Sequence, residues 1–227
     1  MIVELINRFI DEDYDNFKVA LTHSSYLNEE LDSQKIQSNE RLEYLGDSVI
    51  SFVVSKYLYD NYPNLLEGDL SKIRSEIVNQ KSLSDFSLKL NLGVHLILGK
   101  GEELNNGRNN RSTLCNLFES IIGYMALNIG LEQTETHLIT LFKGKIEEIY
   151  ISKSYYDSKS LLQEKLQENG KDLPNYHSIY LADGTFKVEL YVNEILISTA
   201  YAKRKIEAEK SAAKKALVSY SEKIKND

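Results

Sequence analysis

The sequence predicts two unlike parts: an all-α domain over residues 1–149 and a small α+β domain of order α-β-β-β-α over residues 158–222, with 150–157 as linker. Three observations carry this. Apolar residues recur at three- and four-residue spacing through the first part, which is the period of an amphipathic helix. After residue 170 the pattern changes to short Tyr-, Val- and Ile-rich runs parted by turn pairs, which is the signature of strands. The charge changes as well. The chain carries −7 overall, but the first 150 residues hold 14 basic against 23 acidic residues and the remainder 13 against 11. An acidic body joined to a mildly basic tail domain indicates two jobs.

Bulk composition excludes several classes. At 227 residues and 42% hydrophobic the chain can bury a core, so global disorder is excluded. Cys115 is the single cysteine, which rules out a disulfide framework within one chain and fits a reducing compartment. No apolar run approaches the roughly 20 residues that span a bilayer. The expectation is a soluble, cytoplasmic protein with no membrane partner.

Taken in order, Asn39–Tyr62, Leu70–Leu90 and Thr113–Leu127 read as helices. Pro63 and Gly68 separate the first two, and the polar stretch Gly99–Arg111 reads as a loop before the third. Lys159–Asn169 is a short amphipathic helix ended by Gly170. Asp183-Gly184 and Asn193-Glu194 divide the following segment into three antiparallel strands. Lys205–Tyr220 returns to a helix with Ala208, Ala212, Ala213, Ala216 and Leu217 on one face.

The residues that carry chemistry lie in "NERLEYLGDSVI", Asn39–Ile50. On a helical wheel Glu43 and Asp47 fall within about 60° of Glu40, while Leu42, Leu45, Val49 and Val53 fall opposite. Like charges at this spacing repel by a few tenths of a kcal/mol per pair. Glu119 stands among Leu117, Phe118, Ile121 and Ile122, where a carboxylate is costly to desolvate. Asn116 lies three residues earlier on the same face. Were the two helices packed together, Glu43, Asp47, Asn116 and Glu119 would form an oxygen-rich site suited to a hard cation such as Mg²⁺. The residues alone leave a second reading open. Taken alone, the stripe of Glu40, Glu43 and Asp47 reads as a solvated face, and Glu119 as a buried ion pair with Arg41, Lys72 or Arg74. His23 and Ser24 read as structural hydrogen-bonding residues, and Cys115 as a small buried hydrophobe.

These segments resemble a known family. "NERLEYLGDSVI" is similar to the signature helix of the ribonuclease III family, and "ALTHSSY", "LLEGDLSKIRSEIVNQKSL" and "STLCNLFESIIGYMAL" resemble its flanking motifs in the same order. The C-terminal part resembles the double-stranded RNA-binding domain that follows in bacterial-type members. The resemblance implies an endoribonuclease that cleaves double-stranded RNA with Mg²⁺, or Mn²⁺ as a substitute, in rRNA and mRNA processing. It implies a homodimer in which each centre cuts one strand, leaving 5′-phosphates and short 3′ overhangs. By resemblance Glu43 and Glu119 are metal ligands with Asn116, Asp47 is the catalytic carboxylate together with Glu119, and Glu40 and Glu67 line the cleavage valley. Gln163 and Glu164 are candidate contacts to the RNA minor groove, and Lys203, Arg204, Lys205 and Lys214 to its phosphates. Lys210 and Lys215 read as a solvated helix face.

Two departures from the family pattern matter. Asn116 stands where the family carries Asp, which removes one charge from the metal site. The alternative reading is a catalytically impaired RNA-binding protein on the same fold. The last helix lacks the glycine-rich turn before it, and Ile206 replaces a Lys, so fewer phosphate contacts are expected and binding is expected to be salt-sensitive.

Overall fold

A computed structural model describes residues 2–27 and 37–224. Its contacts divide the chain into two compact units at Tyr155/Tyr156.

The first unit is helical. It comprises α1 (Ile2–Glu12), α2 (Tyr14–Leu21), α3 (Ser24–Leu27), α4 (Glu40–Asn61), α5 (Glu67–Val78), α6 (Gln80–Lys89), α7 (Lys100–Leu104), α8 (Arg111–Asn128) and α9 (Leu131–Ser152). Its centre is α8, which is buried almost continuously from Thr113 to Met125 and packs against α2, α4, α6 and α9. A helix apolar on all sides is a core helix. Phe86, Phe118 and Phe142 join α6, α8 and α9, with ring centroids 4.9 to 6.3 Å apart. Two buried hydroxyls reach carbonyls of neighbouring helices: Ser120 Oγ donates to Ala20 O, and Ser87 Oγ to Leu114 O, each at 2.6 Å.

Three expectations are corrected. Leu70–Leu90 is two helices, because the Asn79 side chain accepts from Ser82 N at 2.9 Å and so starts α6 as a new helix. Gly99–Arg111 is not all loop. It holds α7 and a 3₁₀ turn at Gly107–Asn109, gathered by Arg108, whose guanidinium reaches Glu103 Oε1 at 2.7 Å and Leu96 O at 2.7 Å. And α9 runs to Ser152, so the first three residues of the expected linker are helical; Tyr150 stacks near Tyr62 with ring centroids 4.7 Å apart. His23 has the structural role expected of it: its Nδ1 lies 2.9 Å from Ser25 Oγ, which accepts from Gly99 N.

The second unit has α10 (Ser158–Glu168), β1 (Asn175–Tyr180), β2 (Phe186–Val192), β3 (Ile195–Ala202) and α11 (Lys205–Ile224). The strands form one antiparallel sheet in the order β1-β2-β3. Both helices cover the face carrying Val188, Leu190 and Ala200, and four fully buried alanines let α11 lie close to it. Asp183-Gly184 turns as the sequence indicates: Gly184 has φ +81°, and Asp183 Oδ1 accepts from Thr185 N at 2.9 Å.

The second hairpin has a local cost. Asn193 and Glu194 both lie at positive φ, +48° and +65°. A two-residue turn with both φ positive is the one that matches strand twist. Asn tolerates that region, whereas Glu pays about 1 kcal/mol for it. Glu194→Gly is therefore expected to stabilise this unit by about 1 kcal/mol, or several degrees in its thermal transition. A scan of the two proteins side by side checks this.

Candidate active site

The site is built where α4 crosses α8. Gly46 and Gly123 meet at the crossing. A Cβ on Gly46 would sit 1.7 Å from the Glu119 carbonyl oxygen, and one on Gly123 would sit 2.2 Å from that of Leu42. Only residues without side chains allow this approach. The crossing brings Glu43, one turn before Gly46, and Asp47, the residue after it, beside Glu119, one turn before Gly123. Neither glycine was singled out in the sequence. The available signal was that each breaks a helical run at a cost of about 1 kcal/mol relative to Ala.

Glu119 is buried at 9% exposure. The ion pair expected for it does not form. Arg74 donates to Ser55 Oγ at 3.0 Å and Lys72 faces Asp69 at 3.5 Å, and among the described residues no salt bridge joins Glu119 to these two or to Arg41. Its hydrogen-bond partner is the Cys115 thiol, one turn earlier, at 3.5 Å from Oε1. Burial, reinforced by the charges of Asp47 and Glu43, pushes the Glu119 carboxyl up to about 7. Burial also raises Glu43, with Glu40 and Asp47 adding to it. The Cys115 thiol is pushed up to about 12 by burial first and Glu119 next. Glu40, Glu43, Asp47 and Glu119 thus share one field, with the half-buried Asn116 on the same helix as Glu119.

Part of the repulsion in the acidic stripe is offset locally, because Glu40 and Glu43 occupy the first turn of α4. The exposed N–H groups there favour negative charge. Asp47 and Glu119 lack that compensation. Among the described residues no three His, Cys, Asp or Glu side chains stand close enough to enclose an ion. Glu43, Asp47 and Glu119 are mutually repelling carboxylates and not a closed cage. That suits a cation that keeps most of its waters and takes one or two carboxylates, as Mg²⁺ does. Glu67 is not part of this cluster. It starts α5, accepts from Ser71 Oγ at 2.8 Å, and lines a separate groove with Ser55, Tyr59 and Arg74.

In the second unit Gln163 and Glu164 are exposed on α10, and Lys203, Arg204, Lys205 and Lys214 are exposed at or along α11. Among the described residues Arg204 and Lys205 make long pairs, 3.9 Å each, with Glu207 and Glu209. Lys210 and Lys215 are not a free face. Lys210 pairs with Asp157 at 2.6 Å, and Lys215 donates to Thr199 O at 2.8 Å. They tie α11 to the cap of α10 and to β3.

A family model described as ribonuclease-III-like matches residues 14–145, and one for the double-stranded RNA binding motif matches residues 158–219. The chain belongs to the ribonuclease III family. Ribonuclease 3 of Borreliella burgdorferi is 42% identical over 222 residues, 93% of this chain and 90% of that protein. Ribonuclease 3 of Enterococcus faecalis is 38% identical over 96% of this chain and 97% of its own length. A solved nuclease domain of Campylobacter jejuni ribonuclease III, described for flexibility in a region involved in dimer formation, aligns at 38% identity and a TM-score of 0.53, covering 59% of this chain and 88% of that one.

The protein is a ribonuclease III-type endoribonuclease, a hydrolase, with an all-α nuclease domain followed by an α-β-β-β-α double-stranded RNA-binding domain. Among the described residues no helix of this ribonuclease is long and apolar enough to cross a membrane.

Proposed function

We propose that this ribonuclease cleaves double-stranded RNA by metal-dependent phosphodiester hydrolysis, working as a cytoplasmic homodimer in rRNA and mRNA processing. The observation that carries the metal dependence is the buried Glu119 carboxylate, which faces two further carboxylates and, among the described residues, meets no cation. Such a group fits a divalent cation. Glu43 and Glu119 would hold it, with the Asn116 amide oxygen as a neutral third donor. The chemistry supplied by Mg²⁺ there would be a water of lowered pKa and charge neutralisation at the leaving oxygen. Asp47, the exposed member of the group, orients the attacking water. Water adds to phosphorus, the bond to the 3′ oxygen breaks, and the ends are a 5′-phosphate and a 3′-hydroxyl.

In the dimer each nuclease domain cuts one strand, and the offset cuts leave a short 3′ overhang. Glu40 and Glu67 line the valley between the two centres, with Glu67 contributing from outside the Glu43–Glu119 cluster. The second domain holds the duplex through Gln163, Glu164, Lys203, Arg204, Lys205 and Lys214, all of them exposed. Its reading of RNA is by shape across two minor grooves.

Asn116 favours a second reading, an RNA-binding protein with a disabled centre. One experiment separates the two. A long perfect duplex is incubated with the chain and with Asn116→Asp, in Mg²⁺, in Mn²⁺ and in chelator. The expected result is that both proteins cut with metal and neither cuts in chelator. The Asp variant is expected to need about tenfold less Mg²⁺, because affinity follows the number of charged ligands. Cutting by the Asp variant alone would establish the second reading for this chain. Binding without cleavage by both would remove the enzyme reading.

A further inference from the structure

The Cys115 thiol is the one hydrogen-bond donor that reaches the Glu119 carboxylate among the described residues, at 3.5 Å from Oε1. Both groups are inside the protein, at 6% and 9% exposure. They lie one turn apart on α8, so helical geometry fixes their approach. An S–H carries a single proton and is a weak donor. It engages one carboxylate oxygen and leaves the other without a hydrogen-bond partner among the described residues.

We propose that Cys115 is a positioning residue, whose thiol holds Glu119 Oε1 and so presents the second oxygen of that carboxylate to a divalent cation shared with Glu43. This rests on the metal-dependent reading of the site given above. The thiol acts through Glu119 and does not touch the cation or the RNA.

Any single donor at this position can hold the same oxygen, and a serine hydroxyl is a stronger one than a thiol. A methyl group would leave the Glu119 side chain free among its rotamers, so that ordering it would be charged against cation binding. Glu119 has three rotatable bonds, and one weak tether to a buried neighbour removes part of that freedom before the ion arrives. A residue that orients a metal ligand is worth about 10- to 100-fold in metal affinity, and a weak thiol donor belongs near the lower end.

The test uses the full chain with Cys115→Ala and Cys115→Ser. Three quantities are read: the rise in melting temperature on adding Mg²⁺ or Mn²⁺ without RNA, the Mg²⁺ concentration for half-maximal duplex cleavage, and duplex binding in chelator. Cys115→Ala is expected to raise the half-saturating Mg²⁺ about tenfold and to shrink the metal-induced thermal shift, with binding in chelator unchanged. Cys115→Ser, which restores a donor, is expected to recover most of both. The inference is overturned if Cys115→Ala keeps the parent's metal dependence within twofold, or if Cys115→Ser behaves as Cys115→Ala does. In both cases the parent still responds to metal, so the proposed reaction stands. A parent chain that shows neither cleavage nor a metal-induced shift overturns the reaction and this inference with it. Unchanged binding in chelator shows that the variants are folded.

Discussion

Glu119→Gln is expected to lower duplex cleavage by about a thousandfold and, at the same time, to make the metal-free protein more stable. The two effects have one cause. Glu119 is a carboxylate buried without a cation, its proton held up to about 7 where an exposed one is lost near 4.5. The folded protein therefore holds this proton more tightly than the unfolded chain. Metal-free stability falls as pH rises from about 4.5 to 7, and the full penalty is present above that window. The variant has no such titration, so its advantage is absent at low pH and complete by pH 8. Its size is about 1–2 kcal/mol, once solvent at the open side of the pocket and the unmet needs of the buried amide are allowed for. Thermal unfolding in chelator at pH 5 and pH 8 measures it. Added Mg²⁺ is expected to raise the melting temperature of the parent and not of the variant. Equal stabilities at both pH values would mean that Glu119 is compensated by a partner other than a cation.

Gly46→Ala is expected to destabilise the nuclease domain by about 3 kcal/mol or more and to abolish cleavage. Two effects of opposite sign compete here. Within an isolated helix, replacing a mid-helix Gly by Ala is favourable by about 1 kcal/mol. At this crossing the new Cβ would fall 1.7 Å from the carbonyl oxygen of Glu119. Backbone cannot step aside as a flexible side chain does, so α4 and α8 must separate. The separation pulls Glu43 and Asp47 away from Glu119, which is why activity falls with stability. Gly123→Ala makes the reciprocal clash, 2.2 Å from the Leu42 carbonyl oxygen, and is expected to behave alike. Urea unfolding together with the cleavage assay checks both. A variant more stable than the parent would show that helix propensity wins and that the crossing is looser than its geometry indicates.

The helices and strands were legible because each is written in its own local period. The apolar spacing of Asn39–Tyr62 and Thr113–Leu127 matches α4 and α8, and the two turn pairs match the hairpins of the sheet. What failed locally failed for a reason that spacing does not show. Asn79 splits one run because its side chain caps the next helix, and Arg108 orders a polar segment by reaching carbonyls more than ten residues away.

The candidate site divides in the same way. That Glu40, Glu43 and Asp47 share a face, and that Asn116 and Glu119 share another, follows from 100° per residue and needed no structure. The motifs in their order also carried the family. Whether those two faces meet is a matter of tertiary packing. It is decided by Gly46 and Gly123, which let two backbones approach where any side chain would hold them apart. Only the packed structure shows that Arg74 and Lys72 are engaged elsewhere, that Glu67 stands apart from the cluster, and that the neighbour of Glu119 is a thiol and not a cation. Sequence fixes the direction of a side chain on its own helix. Charge compensation depends on which other helix lies opposite, and distance across that gap is set by the volume of the residues between.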